Sequence, residues 1–162
     1  MVTPATLRIG QGFDLHPFSD DPARPLVLGG IVVDGAPGLA GHSDADVLAH
    51  ALGDALLGAA GLGDLGQHFP DGDPRYAGAD SMRLLAEIVE RVADAGFRAL
   101  NADCTVVAER PKLSPFLSQA ADRLSRVVGA PVSLKATRGE GLGAIGRGEG
   151  VACLAVVLLG RR

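Results

Sequence analysis

Gly41-His42-Ser43-Asp44-Ala45-Asp46-Val47-Leu48-Ala49-His50-Ala51-Leu52-Gly53-Asp54-Ala55-Leu56-Leu57 is the stretch from which the fold is read. Apolar side chains at Val47, Leu48, Ala51, Leu52, Ala55 and Leu56 recur at helical spacing. Ser43 or Asp44 ahead of them offers an oxygen to cap the free N–H groups, and the glycines between Gly58 and Gly61 stop the helix. Upstream, Leu7 to Asp14 reads as a strand interrupted by glycines, and Pro25 to Val33 holds two short β-rich runs around Gly29-Gly30, a hairpin signal.

Downstream, residues 61–80 are rich in Gly, Asp and Pro and read as a loop long enough to be functional. Asp80-Ser81 caps a second helix with Met82, Leu85, Ile88, Val89 and Val92 on one face. Phe97 to Ala108 fits a strand. Ser114-Pro115 opens a third helix that runs to about Val128, with Pro in its first turn. Val132 to Thr137 is a strand, Gly139 to Gly150 a glycine-dense loop, and Val151 to Leu159 an apolar strand expected to be covered on both faces. This order predicts an α+β fold with helices packed on one face of a sheet. An apolar sheet with too few helices for both faces needs a partner subunit. With no repeat, linker or low-complexity segment, residues 1–162 read as one domain.

Composition narrows the function classes. A chain that is 47% hydrophobic and 21% charged is globular rather than disordered. The net charge of −4 excludes wholesale attraction to nucleic acid, so an anionic ligand must be met by a few local groups. Cys104 and Cys153 lie in apolar runs without disulfide or Cys-x-x-Cys spacing and read as buried free thiols. The start, Met1 to Thr6, has no signal-peptide pattern, and no apolar run spans a bilayer. A reducing cytoplasm and no membrane partner are expected.

Four clusters carry chemistry. Asp14 and His16, two apart on a strand, point to one side as a carboxylate and an imidazole beside each other. Alone, such a pair is usually solvated surface. His50 shares a helix face with Asp46 and Asp54, which is usually just a wet face, yet a third ligand there would complete an Asp-His-His set with one open position, as in catalytic zinc sites. His42-Ser43, at the start of that helix, sits where free N–H groups and the helix dipole collect anions; simple capping is the alternative reading of Ser43. Lys135 to Glu140 and Gly146 to Gly150 set cations among glycines, a pattern suited to phosphate oxygens, and Arg110-Pro111-Lys112 adds a basic pair. The acidic loop Gly63 to Asp73 lacks calcium-loop spacing. The triplets Gly61/Gly63/Gly66 and Gly141/Gly143/Gly146 lack the strand-before, helix-after context of a dinucleotide site.

In this order the pieces resemble the 2-C-methyl-D-erythritol 2,4-cyclodiphosphate synthase family of the non-mevalonate isoprenoid route. The matching segments are Arg8 to His16, Gly41 to Val47 with His50, Ala51 to Leu57, Leu62 to Gly66, Phe69 to Asp71, Arg110 to Lys112, Lys135 to Thr137 and Gly146 to Gly150. The resemblance implies a mixed four-stranded main sheet and a homotrimer whose sheets face a central channel, with active sites between subunits. It implies Zn2+ or another divalent cation on Asp14, His16 and His50, and Mg2+ or Mn2+ held by Glu140 on the substrate diphosphate.

For the substrate, a cytidine diphosphate compound, the resemblance implies contacts with Asp14 and His16, and with His42 and Ser43 on phosphate. Asp64, Leu65, Gly66, Phe69, Pro70, Asp71, Gly72 and Asp73 line the sugar region. Ala108, Arg110, Pro111, Lys112, Leu113 and Ser114, with Thr137, Arg138, Gly139 and Glu140, form the cytidine and diphosphate pocket. His42 and Arg138 are the catalytic positions. Arg138 stands where the family commonly has a second Thr that stabilises the transition state, and could donate to phosphate in its place. Ala144 stands where an aromatic is frequent, beside Arg147, in the channel region where the resemblance implies an isoprenoid diphosphate site. The implied reaction closes a cyclic diphosphate and expels CMP, as a phosphorus-oxygen lyase. A metal-dependent phosphohydrolase and a non-catalytic binder of isoprenoid diphosphates are the alternatives.

Overall fold

The computed structural model describes residues 6–162; the stretch 1–5, within which no signal peptide is read, lies outside them. The main sheet has the order β1-β6-β4-β5. Its strands are β1 (Leu7–Pro17), β4 (Phe97–Ala108), β5 (Val132–Thr137) and β6 (Gly150–Arg161). β6 is antiparallel to both β1 and β4, while β5 runs parallel to β4, so the sheet is mixed. β2 (Leu26–Leu28) and β3 (Ile31–Val33) form the expected hairpin, its turn made by Gly29 and Gly30, both at positive φ. The helices are α1 (Val47–Ala60), α2 (Leu65–His68), α3 (Ser81–Asp94), α4 (Leu117–Val128) and α5 (Gly143–Gly146).

Several boundaries differ from the sequence reading. α1 starts at Val47, and its cap is Asp46, not Ser43 or Asp44: the Asp46 carboxylate accepts from the N–H groups of Leu48 and Ala49. Asp46 is also fully buried, accepting from Gly29 and Gly30 N–H at 2.9 and 2.8 Å, so one side chain caps the helix and seats the hairpin turn. It therefore does not share an open face with His50. α4 begins at Leu117, two residues beyond Pro115. The two long loops each contain one short helix, α2 and α5, and Pro74–Tyr76 adds a 3-10 turn.

The core lies between the sheet and helices α1, α3 and α4. Leu48, Leu52, Leu56, Leu85, Ile88 and Leu124 meet Cys104, Val106, Cys153, Val157 and Leu159 from the strands, all within a few per cent of complete burial. Both cysteines are free and buried, as expected. β6 is covered on one face only, contrary to the reading of Val151 to Leu159 as doubly covered: Leu154 and Val156 are 44% and 47% exposed. They sit opposite Phe13 and Gln11 of β1, and with Ile9 and Leu15 they make an apolar outer face.

Candidate functional site

β1 carries Gly10, Gly12, Asp14 and His16 on the helix-facing side by strand alternation. The glycines let α1 lie directly on the strand. A Cβ on Gly10 would come within 1.9 Å of the Ala55 carbonyl oxygen. The approach delivers His50 of α1 to Asp14 of β1, with His50 Nδ1 3.0 Å from Asp14 Oδ2. His16 Nε2 lies 3.3 Å from the same oxygen, and the two imidazoles meet edge to face at 5.6 Å. Their ligand atoms all lie within 4.8 Å of one another, the only such group among the described residues.

Hydrogen bonding behind the rings decides which nitrogens face inward. His16 Nδ1 donates to the carbonyl oxygen of Ala40 at 2.7 Å, since a carbonyl can only accept. Its Nε2 then presents a lone pair to Asp14. His50 turns Nε2 towards the hydroxyls of Ser81 (2.8 Å) and Ser43 (3.2 Å), leaving Nδ1 for Asp14. Acceptor atoms from three side chains thus converge, and only a cation or protons can hold them together. The donor set and its spacing fit a divalent ion with a side left open.

Electrostatics follow the same logic. Burial alone would raise the Asp14 carboxyl, but hydrogen bonds and charges from His16 and His50 outweigh it and bring it down to about 2. The hydrogen bond with Asp14 raises His16 above 6.5 despite its burial. Burial raises Asp54, which accepts from Leu65 N–H at 2.7 Å and ties α2 to α1. Burial also pushes Asp46 up to about 6, against the pull of the Gly29, Gly30 and Ala49 N–H groups.

The triad opens into a cavity of about 310 Å³ walled by Gly41, His42, Ser43, Asp54, Leu65, Gly66, Phe69, Asp71 and Tyr76. Asp64, Pro70, Gly72 and Asp73 lie on the same loop outside that wall. Asp64 caps α2 through Gln67 N–H, and Asp73 pairs with Arg75. His42 and Ser43 reach the cavity from four and three residues before the α1 cap, so the helix N-terminus does not serve them; its first N–H groups belong to Asp46. Arg24 holds their segment by donating to the backbone oxygens of Leu39 and Ser43.

The remaining predicted residues stand elsewhere on the chain. Ala108 ends β4 and Arg110 to Ser114 follow it; Thr137 ends β5 and Arg138 to Glu140 follow that strand, on the opposite edge of the sheet from β1. Three strand spacings, about 14 Å, separate those edges. Ala108 and Leu113 are buried, while Arg110, Lys112, Thr137, Arg138, Glu140, Ala144 and Arg147 are exposed. Glu140 is not part of the Asp14 group. The sequence reading missed Ala40, Asp44, Ser81 and Arg24, whose roles come from contacts across the fold; Asp80-Ser81 was legible only as a helix start.

Fold and site together define a class: an α+β protein with a three-residue candidate cation site in a loop-lined cavity beneath the first helix. The model described as the YgbB family matches residues 7–160, and the chain belongs to that family. The 2-C-methyl-D-erythritol 2,4-cyclodiphosphate synthase of Moorella thermoacetica is 54% identical over 156 residues, 94% of each chain. The structure of bifunctional IspDF from Campylobacter jejuni superposes with a TM-score of 0.91 at 42% identity, covering 96% of this chain and 42% of that longer one. The CDP complex of IspF from Plasmodium falciparum superposes with a TM-score of 0.83 at 29% identity, over 99% of both chains. The resemblance carried by the motifs is borne out. Among the described residues no helix is long and apolar enough to cross a membrane.

Proposed function

We propose that this chain is a cyclodiphosphate synthase. It would convert 4-diphosphocytidyl-2-C-methyl-D-erythritol 2-phosphate to 2-C-methyl-D-erythritol 2,4-cyclodiphosphate and CMP. An oxygen of the 2-phosphate forms a bond to the β-phosphorus, the bond to the bridging oxygen breaks, and CMP leaves with the α-phosphate. The observation that carries the reading is the convergence of Asp14, His16 and His50 beside His42 and Ser43 in one cavity. The relatives' names and the CDP-bound neighbour support it.

In this reading Asp14, His16 and His50 hold zinc or another divalent ion, which neutralises phosphate charge when bound. His42 and Ser43 orient the phosphates. The α2 loop, Asp64 to Gly66 and Phe69 to Asp73, encloses the sugar. Lys112 and Arg138 counter the diphosphate charge, and Glu140 would hold a magnesium or manganese ion that neutralises more of it. The attacking phosphate oxygen is already ionised and tethered, so no general base is needed, and positioning supplies about 7 kcal/mol or more in well-oriented cases.

The triad lies at the β1 edge and Thr137 to Glu140 at the β5 edge, which favours a site completed by a second copy. A homotrimer, with the outer face of Ile9, Phe13, Leu15, Leu154 and Val156 turned to a central channel, brings the β1 edge of one copy to the β5 edge of the next. Arg147 and Ala144 then stand near that channel, where an isoprenoid diphosphate could lodge beside Arg147. The whole of residues 1–162 acts as one catalytic domain in the cytoplasm.

The test is incubation of purified protein with the diphosphocytidyl substrate, with and without chelator. CMP and the cyclic product should form, stop on chelation and return with zinc. His50→Ala should abolish turnover while leaving fold and assembly intact. Isotope from labelled water appearing in the product would instead indicate a phosphohydrolase, and undiminished turnover after complete metal removal would overturn the reading.

A further inference from the structure

The ring of His50 is backed by a chain of hydrogen bonds. Ser81, the first residue of α3 and 1% exposed, donates its hydroxyl proton to Asp44 Oδ1, because an ionised carboxylate can only accept. Asp44 Oδ2 accepts the Ser81 backbone N–H at 3.1 Å, so each carboxylate oxygen takes a hydrogen from Ser81, Oδ1 also accepting from Asp46 N–H at 3.2 Å. With its own proton spent on Asp44, the Ser81 oxygen is left as an acceptor facing His50 Nε2 at 2.8 Å. His50 must then carry a proton on Nε2, which leaves Nδ1 as the nitrogen aimed at the Asp14 side of the cavity.

The pair is firmly seated. Asp44 N–H donates to the Ala79 carbonyl at 3.1 Å, and Gly78 N–H donates to the His42 carbonyl at 2.8 Å, stitching the segment before α1 to the segment before α3. Ser43 Oγ accepts from Ala45 N–H at 3.2 Å and lies 3.3 Å from Ser81 Oγ, so the same arrangement backs a cavity-lining hydroxyl.

We propose that Asp44 and Ser81 are positioning residues that fix the ring of His50 with Nδ1 as its cation-binding nitrogen. The proposal rests on the metal reading of Asp14, His16 and His50 but not on the reaction. Partners that orient a ligating imidazole commonly contribute tenfold to a hundredfold in metal affinity. Asp44→Asn keeps the shape but offers one acceptor oxygen where two are needed, so either the Ser81 N–H or its hydroxyl proton loses its partner. Ser81→Ala removes the nearer acceptor for Nε2–H, leaving only Ser43 Oγ at 3.2 Å, while suiting the first turn of a helix.

The test uses full-length protein and zinc alone, by competition with a chromophoric chelator, together with the imidazole 15N signals of His50 in the zinc-bound state. Both variants should bind zinc about tenfold to a hundredfold more weakly while the metal-free melting temperature stays within a few degrees of the parent. The parent spectrum should show His50 protonated at Nε2 and metal-shifted at Nδ1. A metal-shifted Nε2, or zinc affinity unchanged in Asp44→Asn and Ser81→Ala, would overturn the proposal. If one variant fails to fold, the other variant and the parent spectrum still decide. Because no substrate is present, weakened zinc binding in a protein that never releases CMP would leave this inference standing and remove only the proposed reaction.

Discussion

A Cβ placed on Gly12 would lie 1.8 Å from the carbonyl oxygen of Ala51, so strand β1 and helix α1 touch backbone to backbone. Gly12 precedes Asp14 by two residues and Ala51 follows His50 by one. The contact that excludes a side chain is therefore the one that sets the spacing of two candidate ligands. Gly12→Ala should destabilise the fold by about 3 kcal/mol or more, in the manner of an overpacked core. In whatever folded fraction remains, it should also weaken zinc binding. Chemical denaturation and chelator competition check both; a variant as stable as the parent would mean that helix and strand separate at little cost.

Asp46 accepts four backbone N–H groups while fully buried. Asp46→Ala removes the α1 cap, worth about 1 kcal/mol, and orphans the Gly29 and Gly30 donors at about 1–3 kcal/mol each. A loss of about 3–5 kcal/mol is expected from denaturant unfolding. Asp46→Asn should lose less, because only the oxygen facing Gly30 or the one facing the helix is replaced by a donor.

Stability of the metal-free protein should depend on pH through the Asp14–His16 pair. Asp14 is depressed from 3.8 to about 2, so its contribution is complete above the unfolded value and is lost as pH falls towards 2. His16 is raised above 6.5, so its contribution is complete below that value and is lost as pH rises through the folded one. The melting-temperature difference between parent and His16→Gln, measured across pH in chelator, should shrink as pH rises above 6.5, and that between parent and Asp14→Asn should shrink as pH falls below 3.8; taking differences removes the opposing contribution of Asp46, which is raised to about 6. Zinc competes with the same protons, so its affinity should climb with pH across this range.

The outer face of the sheet exposes Ile9, Phe13, Leu15, Leu154 and Val156 together. Such an apolar patch marks an interaction surface. Leu154→Asp should convert an assembled protein to monomers, read by sedimentation, with Asp14, His16 and His50 still able to bind zinc. CMP release should fall with assembly, since the β5-edge residues of one copy would no longer reach the cavity of another. Full turnover by monomers would refute the shared-site reading.

Periodicity and punctuation revealed most of the elements from residues alone. The helical spacing of Val47 to Leu56, the capping Asp80, the Gly29-Gly30 turn and the β-rich run Phe97 to Ala108 are local signals, written in neighbours a few positions apart. The candidate ligand triad is legible for a related reason: Asp14 and His16 share a strand face by alternation, and the motifs around them have a recognisable order. What residues alone misjudged was the setting of Asp46, which looked like part of a wet helix face and is a buried cap. Nothing within four residues of it announces that Gly29 and Gly30 will arrive with two more donors.

Sequence by itself determined which segments become strands and helices, and which side chains can bind a cation, because φ/ψ preference, alternation and donor chemistry belong to the residues. Only the tertiary structure decided which nitrogen of each imidazole faces inward, that Ser81 and Asp44 stand behind His50, and that Thr137 to Glu140 end up at the far edge of the sheet from the triad. Those outcomes depend on contacts between distant segments, 24 positions apart for His16 and Ala40, 37 for Asp44 and Ser81, and farther still where β1 pairs with β6. Packing, rather than any local preference, chooses the partners of such contacts.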